Sequence, residues 1–442
     1  MRDILLTAIF FGVLPYAFSR PYVGIYIWSW MGFMNPHRLT YGFAYDFPFA
    51  QIIAIVILVS MLRIKESVRV PWTRETILLL VFILWMFFTT FFAFNSDGAW
   101  EQWDKVWKIQ LMLFITLMLI DTKQKLDWLI WVIVLSLGLY GVKGGIFTIV
   151  TGGSFRLMGP AGSFIGGNNE IALALIMTIP LMRYLQLQAK KVWIHQGVTV
   201  AMLLTGVAVI GTQSRGALVG MAVMGTFLWL KSRNRLFTLL SILVVVGVLA
   251  AIMPQEWYDR MATIEAFEED RSALTRINAW WMAFNIAASR ITGGGFETFY
   301  PWAIRQFAPD PTMGADAHSI YFEVMAEHGF IGFTMFMLLA WFTWNTGNRI
   351  RRLTRHRSET KWAADLASMV QVSMVGYAGS GAFLGLAYFD LYYTLVAIMV
   401  ICKLTSFAEL ERLDVVPGMS GKAVFEADAR PRHEAAVFIK NE

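Results

Sequence analysis

The sequence predicts an all-α polytopic integral membrane protein with about twelve transmembrane helices and one long outer loop containing amphipathic helices. Three observations predict it. The 442 residues are 57% hydrophobic and only 15% charged, with a mean hydropathy of +0.54, whereas soluble domains carry about 25% charged residues. Apolar runs bounded by charge recur along the whole chain, and the basic residues between them fall on alternate turns. Disorder, fibres and disulfide scaffolds are excluded. The single cysteine, Cys402, can form no internal disulfide, which argues against redox chemistry.

The first apolar stretch, Ile4–Met34, is interrupted by Ser19-Arg20-Pro21. Pro21 removes a backbone donor and breaks a helix there. The stretch reads as one broken crossing or a pair of short helices, counted once. Phe47–Leu62, Ile77–Phe94, Ile109–Ile120, Leu126–Val150 and Ile171–Met182 follow. Val198–Ile210, Ala217–Leu230 and Leu236–Met253 complete a first block over 1–253. The segment 254–317 is the long loop, in which Leu274, Ile277, Trp281, Phe284 and Ala288 form one helical stripe. Such a helix could lie flat on a membrane or pack over a cavity. Ile320–Trp344, Leu366–Ala387 and Leu391–Ser406 are the crossings of the block 318–408, and 409–442 is a polar tail expected to be disordered.

Orientation follows from the short loops. Loop 63–75 holds Arg63, Lys65, Arg69 and Arg74, and loop 121–127 holds Lys123 and Lys125. Loop 183–196 carries Arg183, Lys190 and Lys191, loop 231–235 carries Lys231, Arg233 and Arg235, and loop 348–361 is the most basic of all. This side is expected to be cytoplasmic, together with both termini. The net charge of +6 is thereby explained without nucleic acid. The opposite side is poor in basic residues, and its long loop carries Glu265, Glu268, Glu269 and Asp270.

The scarce cations of that opposite side are informative. Arg215 sits in Gly211-Thr-Gln-Ser-Arg-Gly216, a turn between two apolar runs, and Arg156 precedes Gly166-Gly-Asn-Asn169-Glu. Arg276 opens the amphipathic helix, and His318 ends the long loop in Asp316-Ala-His-Ser319. Lys143 lies inside an apolar run, about 10 Å from its outer end. Each has a plain structural reading: an arginine at a helix end anchors at the interface, and a boundary histidine can be a satisfied structural residue. Lys143 can snorkel. Glu323 and Glu327 share a helical face and can bond neighbouring helices, and Asp390 in the last outer turn can be solvated. Taken together they suggest more. Guanidinium forks suit phosphate oxygens, and histidine is suited to take a proton near neutral pH. A lipid-linked diphosphate sugar attacked by an acceptor hydroxyl needs both functions. No phosphate-binding Gly-x4-Gly-Lys loop and no Cys/His zinc cluster is present in the sequence, and Gly293-Gly-Gly295 is too short to be a nucleotide fingerprint. Asp316 and His318 could share a metal, but the first outer segment offers only Asp46. Metal-independent catalysis without a cofactor is the expectation.

At this point the sequence resembles the bacterial O-antigen ligase and polymerase superfamily. The matching features are Ser214-Arg-Gly216 at a membrane turn, Arg276 followed by Trp280, and His318-Ser319 followed by Glu327-x-Gly329-x-x-Gly332. Arg156 with Gly159-Pro160 and Asn168-Asn169 also fits. The amino-terminal Met1-Arg-Asp-Ile-Leu-Leu, Trp28-Ser-Trp and Met34-Asn-Pro-His-Arg-Leu39 are similar to the O-glycosylation ligases associated with exosortase systems. The resemblance runs from residue 1 to about 410.

The resemblance implies an inverting glycosyltransferase of the bacterial inner membrane, using no metal and no nucleotide, with its active site facing the periplasm. It would transfer a glycan en bloc from undecaprenyl diphosphate to a hydroxyl of lipid A-core. His318 would activate the acceptor, Arg215 and Arg276 would bind the diphosphate, and Arg156 and Lys143 would assist. Asn169, Trp280, Ser319, Glu327 and Asp390 would support the site. The alternatives are a polymerase, whose acceptor is another lipid-linked glycan, and an enzyme that glycosylates a protein hydroxyl. A lipid-linked sugar flippase is the rival from another class. Repeated halves and midplane polar residues would favour it, and neither is visible here.

Overall fold

A computed structural model describes residues 1–63, 69–232, 271–314 and 316–413, with isolated positions between 234 and 255. Lys65, Arg233, the acidic run 265–270, most of Leu236–Met253 and the tail from 414 lie outside the described residues. Among the described residues the fold is helical. Six of the described helices are long and apolar enough to cross a membrane.

The amino-terminal third comprises α1 (Arg2–Ser19), α2 (Pro21–Met34), α3 (Phe49–Met61), α4 (Arg74–Thr90), α5 (Ser96–Leu119) and α6 (Lys123–Val150). Then come α7 (Asn168–Gln188), α8 (Val192–Gly211) and α9 (Arg215–Lys231). Beyond the undescribed stretch lie α10 (Arg271–Ser289), α11 (Pro301–Phe307), α12 (Ile320–Thr354), α13 (Lys361–Gly381) and α14 (Asp390–Arg412). Helices α7 and α14 form the buried centre.

Ile4–Met34 is a helical hairpin. Pro21 takes the first position of α2, where its missing N–H costs nothing. The Asp3 carboxylate accepts from the amides of Gly42 and Ala44, so the start of α1 lies beside the chain that follows α2. Of the two readings of this stretch, one broken crossing or a pair of short helices, the structure has the pair. A proline at that point reverses the chain instead of kinking it, and residue 1 lies at the end opposite Arg20.

The basic loops do share one end of the bundle. The Lys125 ammonium stands over the Tyr22 ring and that of Lys123 over Trp362. Arg74 donates to Thr346 Oγ1 at 3.1 Å, and Lys231 donates to Gln371 Oε1 at 2.5 Å. Arg63 stacks on Phe18. Elsewhere glycines set the helix spacing. A Cβ at Gly145 of α6 would stand 2.2 Å from the Leu204 carbonyl oxygen of α8, and such close approach is how apolar helices gain packing in a bilayer.

Helix α12 is broken at Gly329, whose φ of 66° and ψ of −174° leave the helical region. The break frees the carbonyls of Ala326 and Glu327, and the amides of Gly294 and Gly295 donate to them at 2.8 Å. The glycine run 293–295 thus repairs a helix ladder; a side chain at Gly293 would collide with the Gly329 amide.

Candidate functional site

The end of the bundle opposite the basic loops carries the Arg215 turn. Ser214 caps α9, its hydroxyl accepting from the Ala217 amide, and Gln213 adopts a left-handed φ of 54°. Three bonds tie this turn to the loop between α6 and α7 and to the start of α7. Leu157 N–H donates to Gly211 O at 2.9 Å, Gln213 Nε2 to Gly153 O at 2.9 Å, and Asn168 Nδ2 to Thr212 O at 3.0 Å. Arg156, next to Leu157, is exposed there, while Asn169 is half-buried on the first turn of α7. Arg215 is half-buried at the first position of α9.

His318 is positioned from two directions. The indole of Trp280 stacks on Phe322 with centroids 5.0 Å apart and donates to Ala317 O at 2.8 Å. Arg276 lies one turn earlier on the same face of α10. Asp316 Oδ1 accepts from the Ala317 amide at 2.7 Å. His318 itself has a φ of 43°, a region most non-glycine residues avoid and one that marks constrained sites. Ser319, buried, precedes α12, and its hydroxyl finds no hydrogen-bond partner among the described residues.

The turn 382–389 joins the two halves. A Cβ at Gly216, adjacent to Arg215, would stand 2.9 Å from Phe383 Cβ, and one at Gly385 would stand 2.9 Å from an Asp316 oxygen. Glu323 Oε2 accepts from the Ala387 amide at 2.9 Å. Glu327 accepts from the Tyr388 hydroxyl at 2.5 Å through Oε2 and from the Glu297 amide at 2.9 Å through Oε1. The segments carrying Arg215 and His318 therefore meet on one short turn.

The pair Glu323 and Glu327, whose spacing suggested bonds to neighbouring helices, instead binds loop backbone and a tyrosine. Partial burial, followed by the nearby Asp316 carboxylate, raises the Glu297 carboxyl above the usual range. Asp390 is half-buried at the start of α14, its carboxylate 3.4 Å from the Cβ position of Gly32, so it faces α2 and is not simply solvated. Lys143 stands apart from this group. It lies on the outward face of α6 with Leu139, Ile146 and Val150, away from the glycines that pack on α8. Among the described residues no three His, Cys, Asp or Glu side chains are grouped to hold a metal ion.

Sequence reasoning missed Tyr388, Glu297 and the backbone-binding role of Glu323. The only prior signal was the four-residue spacing of the two glutamates.

Residues 200–337 match the family model described as O-antigen ligase, and residues 1–190 match a family of unknown function. The first match contains Arg215, Arg276, Trp280, His318, Ser319 and Glu327; the second contains Lys143, Arg156 and Asn169. No curated protein matches the chain.

Proposed function

We propose that this chain, placed in the O-antigen ligase superfamily by residues 200–337, is a periplasm-facing glycosyltransferase that moves a glycan from undecaprenyl diphosphate to a lipid A-core hydroxyl. The family match supports glycosyl transfer of the ligase or polymerase type. The observation that carries the finer reading is the shared turn 382–389, which touches Gly216 on one side and Asp316 on the other. It supports a site in which Arg215 and His318 act on one substrate. The basic loops at the far end support a cytoplasmic position for that end by the positive-inside rule.

In this reading the acceptor oxygen attacks the anomeric carbon from the face opposite the diphosphate, so the anomeric centre inverts. The acceptor proton passes to the His318 imidazole as the new C–O bond forms. The old C–O bond breaks, and its electron pair leaves with the diphosphate. Arg215 and Arg276 stabilise the departing charge, with Arg156 at the rim. A base in this role must present an unprotonated ring nitrogen to the acceptor hydroxyl. Lys143 would meet the lipid along the outward face of α6, not the diphosphate at the turn.

The test is a transfer assay on purified protein in nanodiscs, with an undecaprenyl-diphosphate glycan, lipid A-core and EDTA. Wild type should form lipid A-core product; His318→Ala should form none while still binding donor. Lengthened donor chains in place of that product would identify a polymerase. Donor movement across the bilayer without any transfer product would identify a flippase and overturn the reading.

A further inference from the structure

Helix α10 has two unlike faces. Its inward face packs on α11 and α12, with Met282, Ala283 and Ile286 buried. Its polar groups also turn inward: Asn278 Nδ2 donates to Asp310 O and Met313 O, and its Oδ1 accepts from the Asp310 amide. The outward face is the apolar stripe. Trp281 is 56% exposed and Phe284 45%, and Ile291 just beyond the helix is 73% exposed. No charged residue occurs from Ile277 to Ser289.

What covers this face is indicated by its continuity. Phe284 meets Phe330 edge to face, with centroids 5.7 Å apart. Phe330 begins the outward stripe of α12, which runs on through Met337, Leu338 and Trp341. The hydroxyl of Thr334, within that stripe, bonds the Phe330 carbonyl of its own helix, as a lipid-facing threonine must. Helix α12 is long and apolar enough to cross the membrane, so its outward stripe meets acyl chains. The exposed face of α10 extends the same surface past the end of the crossing.

We infer that α10 is an interfacial helix whose Trp281 and Phe284 face sits in the outer leaflet of the phospholipid bilayer, at the boundary between headgroups and acyl chains. An uncharged apolar face with a tryptophan suits that depth. Because Trp280 and Arg276 are carried by the same helix, the leaflet itself sets the height of the His318 loop. The inference goes beyond the glycosyl-transfer reading and does not need it: the anchor holds whichever substrate the site takes.

The experiment uses the full chain with Cys402→Ala, in nanodiscs of phosphatidylcholine and phosphatidylglycerol. Trp281→Cys and Phe284→Cys are each spin-labelled. Trp341→Cys serves as the lipid-facing reference and Arg305→Cys, exposed on α11, as the aqueous one. Collision with oxygen is compared with collision with a water-soluble nickel chelate, on samples that elute like wild type. The expected result is that both α10 sites favour oxygen, as Trp341→Cys does, with the ratio reversed at Arg305→Cys. Free access of the nickel chelate to both α10 sites would overturn the inference. So would shielding of both sites from both reagents, which would show that protein covers this face.

Discussion

The indole N–H of Trp280 donates to the carbonyl of Ala317 at 2.8 Å, one residue before His318. A helix of the long loop thus holds the backbone that aims the candidate base. Trp280→Phe keeps an aromatic ring over Phe322 and removes only the donor. Loss of one such bond costs about 1 kcal/mol of stability. Transfer should fall by more than that loss of stability implies, with kcat affected more than donor affinity. Paired thermal unfolding and transfer kinetics check this.

Glu327 satisfies two groups from different segments, the Tyr388 hydroxyl and the Glu297 amide. Glu327→Ala strands both and should destabilise by about 3 kcal/mol. Glu327→Gln keeps a carbonyl oxygen for the amide and offers an N–H to the tyrosine oxygen, so it should cost about 1 kcal/mol or less. Equal melting temperatures for the two variants would refute the dual anchoring.

Gly329 needs a left-handed φ, and a Cβ there would stand 2.3 Å from the Ile291 carbonyl oxygen. Backbone cannot swing away as a side chain can. Gly329→Ala should cost on the order of 2–3 kcal/mol, combining the strained φ with the clash. Gly12 in α1 has nothing within 4 Å of its Cβ position, so Gly12→Ala should be neutral or stabilise by about 1 kcal/mol. Unfolding of the two variants side by side tests the contrast.

The Glu297 carboxyl is raised by partial burial and by Asp316. Between the ordinary glutamate range and the raised value, the folded protein holds a proton that the unfolded chain has released. Stability contributed by this group is therefore greatest in acid and is lost as pH rises through the folded value. Glu297→Gln should flatten that part of the melting curve against pH and raise the melting temperature on its alkaline side.

The helices were legible because apolar runs of membrane length have no other stable fate. Their bounds were less so: α5 begins at Ser96, thirteen residues before the apolar run at Ile109, since a charged first half shows no apolar run. The ends that carry Arg215, Arg156 and His318 were also readable, from their place at turns. The joining turn was not. Phe383 against Gly216 and Glu323 on the Ala387 amide are contacts between segments far apart in sequence, and nothing local encodes them. Gly329 was visible as a motif glycine, yet its use to expose two carbonyls for Gly294 and Gly295 depends on chain 34 and 35 residues earlier. The exposure of Lys143 on the outward face of α6 was not readable either, because depth along a helix says nothing about which way the side chain faces.

The hairpin of α1 and α2 bears on how the protein is made. In the proposed orientation, with the basic loops in the cytoplasm, the start of α1 crosses to the far side while Arg20, the charge at the hairpin's tip, stays behind. Two apolar segments of 18 and 14 residues would then enter as a pair, with the arginine at their turn held back.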